Sequence, residues 1–214
     1  MKEIYKNPLP GIFISVPHET LDIIDALILG PDGTPYEYGF FYIKLQFPNN
    51  YPNEPPKAIF MTTGNGDVRF NPNFYKNGKI CLSILGTWSG PSWSPLLNLS
   101  TILVSIQSLM NETPLINEPG FECVNEIDIG VYNECLIHET LRVATCDFLE
   151  NKTGAPEEFV NIAKQIFETY KEKILVKCEE YANKYPKSVF IVDRLNHNRI
   201  NTNYPKILEI LKNL

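Results

Sequence analysis

The stretch FNPNFYKNGKICLSILGTWSGPSWSP, residues 70–95, decides how this chain is read. It holds one cysteine, Cys81, in a polar, glycine-bearing run, and neither helical nor strand periodicity passes through it. A long irregular segment inside a globular chain carries function more often than architecture. No histidine stands near Cys81 in sequence; the chain has His18, His138 and His197, none in a recognisable motif.

A buried structural thiol is the plain alternative for any cysteine. It suits Cys135, Cys146 and Cys178, which sit in helical patterns, better than Cys81. A cysteine protease needs a histidine base. A phosphate-binding cysteine loop needs an arginine soon after the cysteine, and CLSILGT has none. A zinc site needs paired ligands at short spacing. Thioester exchange needs none of these, only some thiolate and a clear approach. Attack of an amine on the thioester then calls for a donor to the developing oxyanion, which an asparagine amide supplies. Asn73 precedes Cys81 by eight residues, and Pro72 and Gly78 can fold the segment back on itself. Read alone, NPN is also an ordinary Asx turn.

Outward from this stretch, the pattern is strands first and helices after. IIDALIL (23–29) and FFYIKLQF (40–47) flank a turn-rich GPDGTPYEYG, which predicts an antiparallel hairpin with Phe41, Ile43, Leu45 and Phe47 on one face. The prolines of 48–56 exclude a central strand there, so 57–61 is the third strand. Leu99, Ile102, Leu103, Ile106, Leu109 and Met110 form a helical stripe over 99–110. Further helices are expected over 132–149, 156–182 and 205–213, the 156–182 helix opening with Pro156 in its first turn. The order predicts an α+β class, helices beside an antiparallel sheet. A seam is expected near 121–131.

The chain of 214 residues has 43% hydrophobic and 21% charged residues and a net charge of −6. This fits a globular protein and disfavours a broad nucleic-acid or anionic-membrane surface. No apolar run reaches the length of a membrane span, and the N-terminus does not read as a secretory signal. Five cysteines without a C-x-x-C pair predict reduced thiols in an intracellular compartment.

The segment resembles the active-site region of ubiquitin-conjugating enzymes. Asn71-Pro72-Asn73 keeps that family's spacing from its His-Pro-Asn motif to the cysteine. Tyr51-Pro52-Asn53-Glu54-Pro55-Pro56, the Gly30-Pro31 … Pro35-Tyr36 … Gly39 turn, and Trp93-Ser94-Pro95 follow the family order. The resemblance covers residues 4–122. MTTGNG (61–66), the four-residue longer GTWSGPSW (86–93), NEPGFE (117–122) and the run from YNEC to CD (132–147) are similar to the Z subfamily, which carries a helical C-terminal extension. This chain departs from the family at Asn71, where the family has a mainly structural histidine. It departs again at the short MKEIYK, where the family has a helix that contacts the activating enzyme.

The resemblance implies a four-stranded antiparallel meander with flanking helices, a catalytic core over 1–122 and a helical extension over 123–214. It implies a monomeric transferase that takes ubiquitin or a ubiquitin-like modifier from an activating enzyme as a thioester on Cys81. The modifier then passes to a substrate lysine, usually with a ligase. Asn73 would be the oxyanion donor or the residue that orders its loop. Glu118 or Asn117 would orient the lysine. Met61, Pro95 and Leu96 would face the ligase, or be simply exposed apolar loop residues. Trp88 and Trp93 would shield the thioester loop or pack it. No cofactor is expected on the chain, ATP being used upstream by the activating enzyme, and no nucleic acid or membrane partner. The cytoplasm, with the nucleus, is the expected location. The alternatives are a non-catalytic ubiquitin-binding variant, against which Cys81 itself counts, and a cysteine hydrolase, which needs a histidine close to the sulfur.

Overall fold

A four-stranded antiparallel sheet is built from β1 (Ile12–Ser15), β2 (Ile23–Leu29), β3 (Phe40–Gln46) and β4 (Lys57–Phe60), paired in chain order. The computed structural model describes residues 4, 6–17, 22–192 and 199–214, with the backbone alone at Arg199. The expected strands appear with their expected faces. Register pairs Ile28 with Phe41 and Ile43 with Phe60. Because side chains alternate across a strand, Ala26, Ile28, Phe41, Ile43, Leu45 and Phe60 share one face. On that face lies α1 (Leu99–Ser108), whose Leu99, Ile102, Leu103 and Ile106 are buried. Asn98 caps it, its side chain accepting from Thr101 N at 3.0 Å.

The opposite face of β2 and β3 presents Leu27, Phe40 and Tyr42, and it is covered too. A strand buried on both faces needs no polar alternation, and IIDALIL is apolar at every position but Asp25, whose buried carboxylate accepts from Tyr42 Oη at 2.7 Å. The cover comes from the C-terminal part of the chain. There α2 (Glu126–Glu139) runs without a break into a π-helical stretch, Thr140–Asp147. Next come the long α3 (Glu157–Lys184), a hairpin of β5 (Val189–Val192) and β6 (Arg199–Thr202), and α4 (Tyr204–Asn213). Phe148, Phe159, Ala163 and Phe167 pack with Phe40 and Tyr42, and Phe159 meets Tyr42 edge-on at 6.3 Å. Lys177 of α3 pairs with Glu37 at 2.8 Å and lies over the Tyr38 ring, pinning the helix to the β2–β3 turn.

Two elements differ from the sequence reading. The helix expected at 132 starts at Glu126, capped by Asn125. The extension is not helical throughout, because the hairpin interrupts it; its Phe190 is 68% exposed. Among the described residues, no helix is long and apolar enough to cross a membrane. Phe159 is 1% exposed at the centre of the cover. Phe159→Ala is expected to cost about 3–5 kcal/mol in urea unfolding. A loss under about 1 kcal/mol would show that the cover does not unfold with the sheet.

Candidate active site

The Cys81 segment is a folded-back loop laid against the edge strand β4. Phe70 and Phe74 of FNPNF are its anchors: Phe74 stacks on Phe60 at 4.8 Å, and Phe70 meets Phe41 edge-on at 5.3 Å. Gly78 closes the turn at φ 85°, where its N–H donates to Tyr75 O and its carbonyl accepts from Phe60 N at 2.8 Å. A Cβ there would stand 3.0 Å from the Phe60 carbonyl oxygen, so the turn requires glycine. Phe74 and Ile80 then bridge, which brings Cys81 back beside Asn73.

Cys81 and Asn73 hold each other. Cys81 N–H donates to Asn73 O at 2.9 Å, and the Asn73 side-chain Nδ2 donates to Cys81 O at 2.8 Å. That second bond sets the orientation of the amide. Thr87, which the sequence reading passed over, pins the other side: its hydroxyl donates to Ile80 O at 2.6 Å and accepts from Leu82 N at 2.9 Å. The cysteine is 1% exposed.

Asn71 has the structural role expected for its position. Fully buried, it accepts from Asn73 N at 2.9 Å and donates to Tyr36 Oη and Leu109 O, both at 2.8 Å. Tyr36 in turn donates to Phe70 O at 2.7 Å, and burial pushes its phenol far above the ordinary range. One amide therefore ties the β2–β3 turn, the NPN loop and the end of α1. Asn71→Ala leaves these groups unpaired, and a loss of about 2–3 kcal/mol is expected in urea unfolding; a loss under about 0.5 kcal/mol would contradict that linkage.

Of the two residues considered for orienting a lysine, the structure brings Glu118 to the cysteine side and turns Asn117 away. Asn117 Nδ2 donates to Leu109 O at 3.2 Å, supporting the helix end. Glu118 pairs with Arg69 at 3.1 Å. Between them and the thiol lies Tyr75. Burial raises its phenol pKa, Arg69 opposes this, and the nearby Cys81 and Glu118 add to the rise. Neither Arg69 nor Tyr75 was legible as a site residue, because each reaches the cysteine only through the loop's fold.

Pro95 is exposed and Leu96 is 92% exposed, on a loop that Trp93 fastens to the preceding proline-rich turn by donating to Pro52 O at 2.7 Å. Trp93 thus packs the loop, while Trp88 is exposed. The structure does not bring Met61 to this surface. Its N–H donates to Tyr42 O and its side chain is half-buried against the C-terminal cover, on the other side of the sheet. What meets the Trp93 loop is the Tyr51–Pro52 turn.

His138 gives both ring nitrogens elsewhere. Nδ1 lies 2.7 Å from Glu139 Oε1, and Nε2 accepts from Asn203 N at 3.0 Å. His18 and His197 lie outside the described residues. Burial pushes the thiols of Cys146 and Cys178 up to about 12, which marks both as inert structural groups.

A loop of this build, holding a cysteine against an asparagine amide beside a four-stranded meander, defines a ubiquitin-conjugating enzyme core. The family model for ubiquitin-conjugating enzymes matches residues 1–125, and the chain belongs to that family. It is 53% identical to human ubiquitin-conjugating enzyme E2 Z over 180 residues, 83% of this chain and 50% of that one. Against E2 Z of Danio rerio it is 51% identical over 178 residues, 83% of this chain and 54% of the relative. It is 41% identical to the probable ubiquitin-conjugating enzyme protein 17 of Caenorhabditis elegans over 184 residues, 82% of this chain and 25% of that one. A solved structure of human ubiquitin-conjugating enzyme E2 G1, 36% identical, aligns with a TM-score of 0.44 over 51% of this chain and 86% of that one. The chain spans about half the length of the E2 Z relatives it matches.

Proposed function

We propose that this chain accepts ubiquitin or a ubiquitin-like modifier from an activating enzyme as a thioester on Cys81 and passes it to a lysine amine. The observation that carries this reading is the reciprocal pair of bonds between Asn73 and Cys81, which sets an amide donor beside the sulfur. The amine nitrogen bonds to the thioester carbonyl carbon, and the C–S bond breaks. Cys81 leaves as thiolate, and the amine proton passes to water. Asn73 steadies the oxyanion that forms between these events; one such donor is typically worth about 3 kcal/mol. Glu118 orients the amine. ATP is spent by the activating enzyme, upstream of this chain. Pro95 and Leu96 offer an exposed apolar contact for a ligase.

The hydrolase alternative needs an imidazole at the sulfur; among the described residues the histidine is His138, and both of its ring nitrogens are engaged by Glu139 and Asn203. The binding-only alternative leaves Cys81 without a task. The test mixes the protein with an activating enzyme, ATP and ubiquitin, and reads a non-reducing gel. A thiol-labile adduct of one modifier is expected. No adduct with ubiquitin or with any ubiquitin-like modifier, each supplied with its own activating enzyme, would overturn the reading.

A further inference from the structure

Arg69 is a positioning residue whose charge, we infer, sets the protonation of the lysine that attacks the Cys81 thioester; the inference rests on the thioester reading. One guanidinium ties the Cys81 loop to the turn that carries Glu118. Its Nη2 donates to Pro72 O of the NPN turn at 2.5 Å and to Glu118 Oε2 at 3.1 Å. Its plane lies over the Tyr75 ring, with Cζ 4.3 Å from the centroid. An isolated surface ion pair contributes little. This one is different in build: the arginine side chain is 17% exposed, and its partners sit on separate segments that converge beside Cys81. Arginine suits the task because it can stack on the ring and donate to two oxygens at once.

The charge has a consequence for chemistry. A lysine attacks only as the neutral amine, so it must release a proton to solvent before the C–N bond forms. A lone carboxylate beside the amine holds it in the ammonium form, and a guanidinium favours the neutral form. Glu118 orients the amine but, alone, would keep it protonated. Arg69 offsets that charge while holding the carboxylate in place. Tyr75 flanks the pair, with Cys81 beyond it and Lys79 Nζ 5.7 Å from the Tyr75 ring, and Arg69 also lines a cavity with Asp67, Glu139 and Arg142. Arg69 and Glu118 are paired at 3.1 Å beside Tyr75, so removing either charge unbalances the local field.

The experiment isolates the charged protein and follows single-turnover discharge of the thioester onto free lysine, from neutral to alkaline pH, with hydrolysis subtracted. Arg69→Gln leaves Glu118 uncompensated, and the midpoint of the pH–rate profile is expected to move alkaline by about one unit. Glu118→Gln leaves the guanidinium, and the midpoint moves acidward by a similar amount. The double variant returns near wild type, and Arg69→Lys, which keeps the charge, stays near wild type in midpoint even where its rate falls. A purely structural role lowers rates without moving midpoints in opposite directions. Midpoints that stay put, or that shift the same way in both single variants, overturn the inference. If Arg69→Gln fails to charge, Glu118→Gln and Arg69→Lys decide it: an unmoved midpoint in the first, or an alkaline one in the second, is enough to reject it. A wild-type protein that never charges rejects the thioester reading instead.

Discussion

Cys81→Ala is expected to show no adduct in a charging reaction, and Cys81→Ser is expected to trap a stable one. The wild-type adduct is a thioester, cleaved by added thiol because a thiolate displaces a thiolate readily. Serine at the same place is a poorer nucleophile, so its adduct forms slowly. The oxygen ester it makes resists thiol and yields to alkali. The geometry favours the serine variant's folding, since it keeps the Cys81 N–H to Asn73 O bond and the acceptor for the Asn73 amide. Cys123 is the described thiol that is exposed, and it supplies the control. Cys123→Ser should charge like wild type. An adduct that survives Cys81→Ala and vanishes with Cys123→Ser would move the chemistry to the wrong cysteine and end the present account.

Asn73→Ala is expected to slow single-turnover discharge onto lysine by about 10²–10³-fold. The amide is held beside Cys81 by its bond to the Cys81 carbonyl, and the backbone around it is already fixed by Gly78, Asn71 and Thr87. Charging should suffer less, because the loop keeps most of its anchors. Asn73→Asp replaces a donor with a negative charge facing the Cys81 carbonyl and the developing oxyanion, so its discharge should be slower still. Urea unfolding separates this from simple loop damage: the lost side-chain bond accounts for about 1 kcal/mol. Discharge within about threefold of wild type would remove Asn73 from the chemistry. A stability loss of several kcal/mol would assign it to the loop instead.

One face of the β2–β3 hairpin, the α1 stripe and the Asn73–Cys81 spacing were legible in the sequence because each is a local signal. Alternation puts Phe41, Ile43 and Leu45 together whatever surrounds them. The 3.6-residue repeat does the same for Leu99, Ile102, Leu103 and Ile106. The spacing of Asn73 to Cys81 works because a glycine turn and a bridge close the loop between them. The choice between Asn117 and Glu118 was not local. Both sit in the turn after α1, and only the Leu109 carbonyl on one side and Arg69 on the other separate them. Met61 shows the same limit. Its place just after a strand says nothing of which side the chain exits, and the C-terminal cover claims it. The β5–β6 hairpin was missed because its apolar run SVFIV is short and follows a long helix.

By itself, then, the sequence determined three strands of the sheet, the helix against them and a cysteine presented with an asparagine, since nearest-neighbour backbone geometry and side-chain periodicity decide these; β1 was not read from periodicity, and the full meander was implied by the family resemblance. The tertiary structure alone decided that the second sheet face is sealed by the C-terminal segments, and that Arg69, Tyr75 and Glu118 converge at Cys81. Arg69 and Glu118 are separated by 49 positions. Whether such residues meet depends on how packed layers route the chain, and no local propensity encodes that route.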